Sequence, residues 1–99
     1  MSFKIAEYIP VGRENAVKPD ILAKQLDMDE RSCRRLIAEA RDSGELIINN
    51  QDGRGFYRVS ETDLDDIERQ YRQDTSRALK ILKRRKKMRK ILKKAGRRV

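Results

Sequence analysis

Between residues 18 and 59 the spacing of apolar side chains changes from helical to strand-like, which limits the possible folds more than any other feature of the chain. The stretch reads KPDILAKQLDMDERSCRRLIAEARDSGELIINNQDGRGFYRV. Ile21, Leu22 and Leu26 fall on one face of a short helix, and Asp27-Met28-Asp29 then makes a tight connection. Cys33, Leu36, Ile37 and Ala40 recur at helical spacing in the next helix. Ser43-Gly44 ends it, because glycine takes the left-handed conformation that closes a helix. Two runs with strand character, residues 46–48 and 56–59, flank a polar turn. Asp52-Gly53 is a strong turn signal there, and it places Arg54 at or near the tip.

Upstream, Phe3, Ile5, Ala6, Tyr8 and Ile9 predict a short first helix that ends at Pro10 and Gly12. Pro19 suits the first turn of the second helix, where its missing N–H costs nothing, and Asp20 complements that helix's positive end. Asp29 is the expected N-cap of the third helix, with Glu30 in its first turn.

Charge divides the chain. Residues 1–76 hold 12 Lys/Arg and 16 Asp/Glu, a net of −4, whereas residues 77–99 hold 13 Lys/Arg and no acid; together they give the net charge of +9. Any affinity for polyanions is therefore concentrated in the last quarter, and basic sites elsewhere must be local. With 99 residues, 37% apolar and 41% charged, the chain supports one small core plus a solvated extension and leaves little room for an enzyme cleft. It has no histidine and one cysteine, so zinc fingers and histidine-based catalysis are excluded, and an unpaired thiol suits a reducing cytoplasm. No run of 18 apolar residues and no signal peptide are present, so neither a membrane span nor export is expected. A phosphate-binding Gly loop and a metal-ligand cluster are also missing, so neither an enzyme nor a cofactor is expected.

From about residue 62 the pattern is helical to residue 95, with Thr62 and Asp65 as a capping pair. In heptads, Leu64, Tyr71, Ala78, Arg85 and Leu92 share one seam position, and Ile67, Asp74, Ile81, Met88 and Ala95 share the other. Asp74 and Arg85 are the two charged members of a seam that would otherwise suit a coiled coil, so a homodimer through residues 64–95 is a candidate. Leu79, Leu82 and Ile91 broaden the stripe.

The string ILAKQLDMDERSCRRLIAEARDSGELI resembles the winged helix-turn-helix of biotin-repressor-like and deoxyribose-operon-type bacterial regulators. Leu22-Ala23 and Leu26 match the family's second helix, Cys33 stands for its buried Val, and Ile37, Arg41 and Gly44 match in kind. YIPVGRENAV, followed later by LAKQL, RRLIAEAR and GFYRV, also resembles small winged-helix proteins of bacteriophages and prophages of Gram-positive bacteria. The likeness is good over residues 3–60 and looser beyond. Asp29 departs from the usual Ser at the helix start, and Leu36 stands where a polar residue is common. The resemblance implies an α+β, mostly α fold: a winged helix-turn-helix of three helices and a small β-wing over residues 1–60, joined to a long basic C-terminal helix over residues 61–99. It also implies that Ala16-Val17 supplies a small strand pairing with the wing. By the same resemblance the function is sequence-dependent binding of double-stranded DNA, as a transcriptional regulator or replication factor in the bacterial cytoplasm or nucleoid. No sensing domain follows, so a small-molecule ligand is not expected.

The candidate base-reading set is Glu30, Arg31, Ser32, Arg34 and Arg35, early in the third helix, where side chains of this motif reach base edges. The plain alternative is a solvated helix face in Glu/Arg balance. Arg54, with Arg58 behind it, is placed to touch the minor groove or the backbone, or else simply keeps the turn soluble. In the tail, Lys83, Arg84, Lys86, Lys87, Arg89, Lys90, Lys93 and Lys94 seek phosphates without reading bases. Three readings of the tail stay open: a DNA-binding arm, a dimerising helix, or a helix for RNA or a membrane surface. Cys33 reads as a small core residue. Asp63, Asp65, Asp66 and Glu68 form an acidic patch that either holds a divalent ion or simply complements a helix N-terminus. The runner-up function is a protein–protein module, such as a phage replication or assembly accessory factor, which oligomerises through the long helix.

Overall fold

The computed structural model describes residues 3–50 and 53–99 and has two compact units, Met1–Ile67 and Glu68–Val99. The fold is α+β and mostly helical. The boundary between the units falls within the long helix.

The expected first helix is a single 3-10 turn, Ile5–Tyr8, in which Glu7 N–H donates to the Lys4 carbonyl (3.1 Å) and Ile9 N–H to that of Ala6 (3.2 Å). Pro10 explains the difference, since it pushes Ile9 out of helical geometry and leaves space for one turn only. Ile5, Ala6 and Ile9 are nevertheless buried. A second 3-10 turn, Arg13–Asn15, leads to helix α1, Pro19–Gln25, which opens on its proline as expected.

Helix α1 buries Leu22 and Ala23 and half-buries Leu26, whereas Ile21 points outward and is 46% exposed. The expectation that Ile21 faces inward fails because residues 22, 23 and 26 complete the stripe, and a helix of seven residues buries only one. At its end Asp27 N–H donates to the Lys24 carbonyl (3.2 Å) and Met28 N–H to the Ala23 carbonyl (3.0 Å), with Asp27 left-handed at φ +53°. This is a Schellman closure with aspartate in the position that glycine normally takes. It turns the chain directly into helix α2, Glu30–Asp42.

Helix α2 buries Cys33 and Ile37 and packs Leu36 and Ala40 against the core. It ends on the same closure, here with Gly44 at φ +102°. Strands β1, Ile47–Asn50, and β2, Gly55–Arg58, then pair antiparallel, with Ile48 opposite Tyr57 and Asn50 opposite Gly55. The first strand lies one to two residues later than the sequence predicts, because Leu46 remains partly exposed, and the second ends one residue sooner. Gln51 and Asp52, which carried part of the turn signal, lie outside the described residues.

The free edge of β2 is occupied by the segment ahead of α1. Val17 and Phe56 exchange backbone hydrogen bonds (2.9 and 2.8 Å), Gly12 N–H donates to the Arg58 carbonyl (3.0 Å), and Arg58 N–H donates to that of Pro10 (2.8 Å). Ile5, Ile9, Leu22, Cys33, Ile37, Ile47 and Phe56 meet in one core, and each fully buried aliphatic or aromatic side chain contributes roughly 1.5–3 kcal/mol.

Helix α3, Leu64–Lys94, begins two residues later than expected. The predicted Thr62–Asp65 pair does not form the cap. Instead Ser60 N–H and Oγ–H both donate to Oδ2 of Asp63 (2.8 and 3.2 Å), closing the turn that leads into the helix. At 1.5 Å per residue α3 is about 47 Å long.

Candidate nucleic-acid interface

Burial of Cys33 and Ile37 on one side of α2 fixes which residues face outward. Arg31, Arg34, Arg35 and Ala38 are exposed and lie on the opposite side. Ala38 adds little bulk, so the centre of this face can come close to a flat or grooved surface.

The five candidate side chains on α2 differ in what they already bind. Glu30 Oε1 accepts from Nε and Nη2 of Arg34 (3.0 and 2.9 Å), so this pair is neutral before any partner arrives. Both members are well exposed and one turn apart, a geometry worth only about 0.3–0.5 kcal/mol, so a competing anion can displace Glu30 cheaply. Ser32 is engaged with the helix cap, its N–H donating to Asp29 Oδ1 (2.6 Å). Arg31 and Arg35 remain; neither makes an ion pair among the described residues, and they sit one turn apart.

Asp29 governs the start of this face. The Ser32 N–H and hydroxyl, followed by the nearby Arg35 charge, hold its carboxyl below the usual aspartate value. Because the folded-state value is depressed, the stabilisation is complete above the ordinary aspartate pKa and is lost as pH falls below it. Asp29→Ala therefore lowers the melting temperature at neutral pH. Asp29→Asn keeps the acceptor and removes this pH dependence; thermal denaturation from pH 6 down to pH 3 checks both. The same carboxylate occupies the helix N-terminus, which makes that end of α2 unfavourable to an anion.

Arg58 departs from its expected role. It is half-buried, and its Nε donates to the Ile9 carbonyl (2.7 Å), tying β2 to the end of the first 3-10 turn. Arg54 is exposed on the hairpin turn between Gly53 and Gly55, which have φ of +84° and +104°. Through the Val17–Phe56 pairing, that turn comes next to the segment preceding α1. Arg54, Arg13, Lys18, Tyr8, Ile21 and Gln25 line an open groove of about 600 Å³. Sequence reasoning missed Arg13 and Lys18, since only the third-strand pairing brings them near Arg54.

In the second unit Lys83, Arg84, Lys86, Lys87, Arg89, Lys90, Lys93 and Lys94 are all exposed on α3, and none makes an ion pair among the described residues. The acidic patch has local partners: Asp63 accepts from Ser60, and Glu68 accepts from Arg72 Nη2 (2.7 Å). Among the described residues no His/Cys/Asp/Glu group is placed to hold a metal ion, and no helix is long and apolar enough to cross a membrane. Burial pushes the Cys33 thiol up, so it remains neutral within the core. Comparison with known proteins gives no matching family model, curated protein or solved structure for this chain.

Proposed function

We propose that the chain is a winged-helix protein that binds duplex DNA in a sequence-dependent way, as a phage- or prophage-type transcriptional regulator or replication factor. Helix α2 enters the major groove, Arg54 on the hairpin turn follows the adjacent backbone or minor groove, and the basic part of α3 adds salt-sensitive affinity. The observation that carries this reading is the pair Arg31 and Arg35: two guanidinium groups without ion-pair partners among the described residues, one turn apart, on the outward face of a helix anchored by Cys33 and Ile37. Arginine matches the O6 and N7 acceptors of guanine bidentately, and each such contact discriminates by about 1–3 kcal/mol.

Selection from a pool of random duplexes with the full chain, followed by sequencing, tests the proposal. One motif is expected to be enriched. Arg31→Ala/Arg35→Ala is expected to abolish the enrichment while leaving binding to bulk DNA largely intact. Equal discrimination by both proteins removes α2 from the reading role.

The −4 balance of residues 1–76 favours a second reading, in which the first unit docks a protein partner. Salt-sensitive binding without any enrichment is the outcome that selects it.

A further inference from the structure

Helix α3 carries an apolar stripe that its own chain leaves open. Tyr71 is 70% exposed, Ile81 48%, Met88 54% and Leu92 40%, and all four occupy the heptad seam. Seam side chains at this spacing normally insert between those of a second helix. The two charged seam residues, Asp74 and Arg85, indicate which second helix and in which direction.

We propose that the stripe is the interface of an antiparallel homodimer, with a second copy of α3 as its occupant. When two copies run antiparallel about a dyad between Leu79 and Lys80, Ile67 meets Leu92 of the second copy and Tyr71 meets its Met88. Ala78 meets Ile81, and Asp74 meets Arg85. Both charged interruptions thereby meet an opposite charge, in two pairs, although Asp74 also accepts from Gln70 Nε2 within its own helix (2.8 Å). A parallel dimer in register would instead set Asp74 against Asp74 and Arg85 against Arg85, where desolvation makes like charges costly. A parallel eleven-residue slip forms that pair only once, shortens the overlap by eleven residues and sets Ala78 against Arg89.

Charge along the helix favours the same direction. Asp65, Asp66, Glu68 and Asp74 lie in its first half, and residues 77–99 contain no acid. Antiparallel pairing lays the acidic half over the basic one, with Glu68 flanking Arg89 of the second copy; parallel pairing lays the basic halves side by side. On the other flank Arg77 meets Arg84 and repels it, which offsets part of the gain. Arg85, Met88, Arg89 and Leu92, with Val99, line an open concavity of about 420 Å³ at the level that Tyr71 of the second copy reaches.

Lys83, Lys86, Lys87, Lys90, Lys93 and Lys94 all stand on outer heptad positions, so the dimer leaves them available to a polyanion. The inference does not rest on the DNA reading, and neither fails with the other.

Sedimentation equilibrium of the full chain without DNA is expected to show a dimer at micromolar concentration. Asp74→Arg and Arg85→Asp each weaken it at least tenfold, and the double exchange restores it to within about threefold. Circular dichroism reports whether each variant keeps its helix. Orientation is read separately with Tyr71→Cys and Met88→Cys proteins. Under oxidation their mixture forms a disulfide-linked dimer and neither alone does, since identical positions would be about 25 Å apart along the axis. A chain that stays monomeric at 100 μM and above, rather than dimeric, overturns the proposal. So does self-crosslinking of either variant alone through its introduced cysteine, or a double exchange that fails to rescue.

Discussion

Replacing Lys83, Arg84, Lys86, Lys87, Arg89, Lys90, Lys93 and Lys94 by glutamine is expected to weaken binding to every duplex and to flatten its salt dependence. These eight side chains hold most of the positive charge of residues 77–99, and none is neutralised by an ion pair among the described residues. Each phosphate that is no longer neutralised by the protein lowers the slope of log K against log salt by about 0.9. If half of the eight reach phosphates at once, the slope falls by about 3.6, equivalent to roughly a hundredfold change in affinity between 50 and 200 mM salt. Sequence preference, as enrichment ratios, should stay unchanged, because charge pairing with phosphates positions a protein without reading bases. Fluorescence anisotropy over a salt series measures the slope. An unaltered slope would take the basic part of α3 out of the DNA interface.

Gly55→Ala carries the largest expected cost in stability. Its φ of +104° is a conformation that side chains rarely adopt, and a Cβ there would lie 2.0 Å from the Val17 carbonyl oxygen and 2.6 Å from the Lys18 nitrogen. These are backbone atoms that no rotamer change can move. Relief requires breaking the Val17–Phe56 exchange, which holds the pre-α1 segment against the hairpin. Breaking those bonds, together with the backbone strain, should cost about 3 kcal/mol or more, a large share of the stability of a small domain. Gly53→Ala is the matched control: its φ is +84°, but nothing among the described residues lies within 4 Å of the added Cβ. Strain alone should cost it about 1 kcal/mol. Urea titration of both variants separates clash from strain, and equal midpoints would show that the Val17 approach does not constrain the hairpin. Gly55→Ala should also disturb the groove where Arg54 meets Arg13 and Lys18.

Much of this architecture could be read from local chemistry. Pro19, Asp29 and Gly44 mark helix boundaries through effects confined to one turn: a missing donor, a side-chain acceptor, a left-handed backbone. Each is found where the sequence places it. Cys33 and Ile37 are buried because their spacing puts them on one face whatever that face packs against. Less local expectations fared worse. Ile21 is as apolar as Leu22, and only the geometry of the core decides which of them turns inward. Thr62 and Ser60 both offer a hydroxyl three residues before an aspartate, and the path of the chain leaving β2 selected Ser60. The first helix shortened to a 3-10 turn because Pro10 constrains the residue before it, an effect stronger than apolar spacing over so few residues.

The candidate sites divide in the same way. Sequence alone determined the outward arginine face of α2 and the uninterrupted basic charge of residues 77–99, since periodicity and composition are properties of one segment. The Ser32–Asp29 and Arg34–Glu30 contacts lie within one turn of α2, whereas only the tertiary structure assigned Arg58 to the Ile9 carbonyl; together they leave Arg31 and Arg35 as the pair still open to a ligand. Only it brought Arg13 and Lys18 beside Arg54. Whether a charged side chain is available depends on which donors and acceptors lie within about 3 Å, and residues as distant in sequence as Ile9 and Arg58 become neighbours only when the core closes.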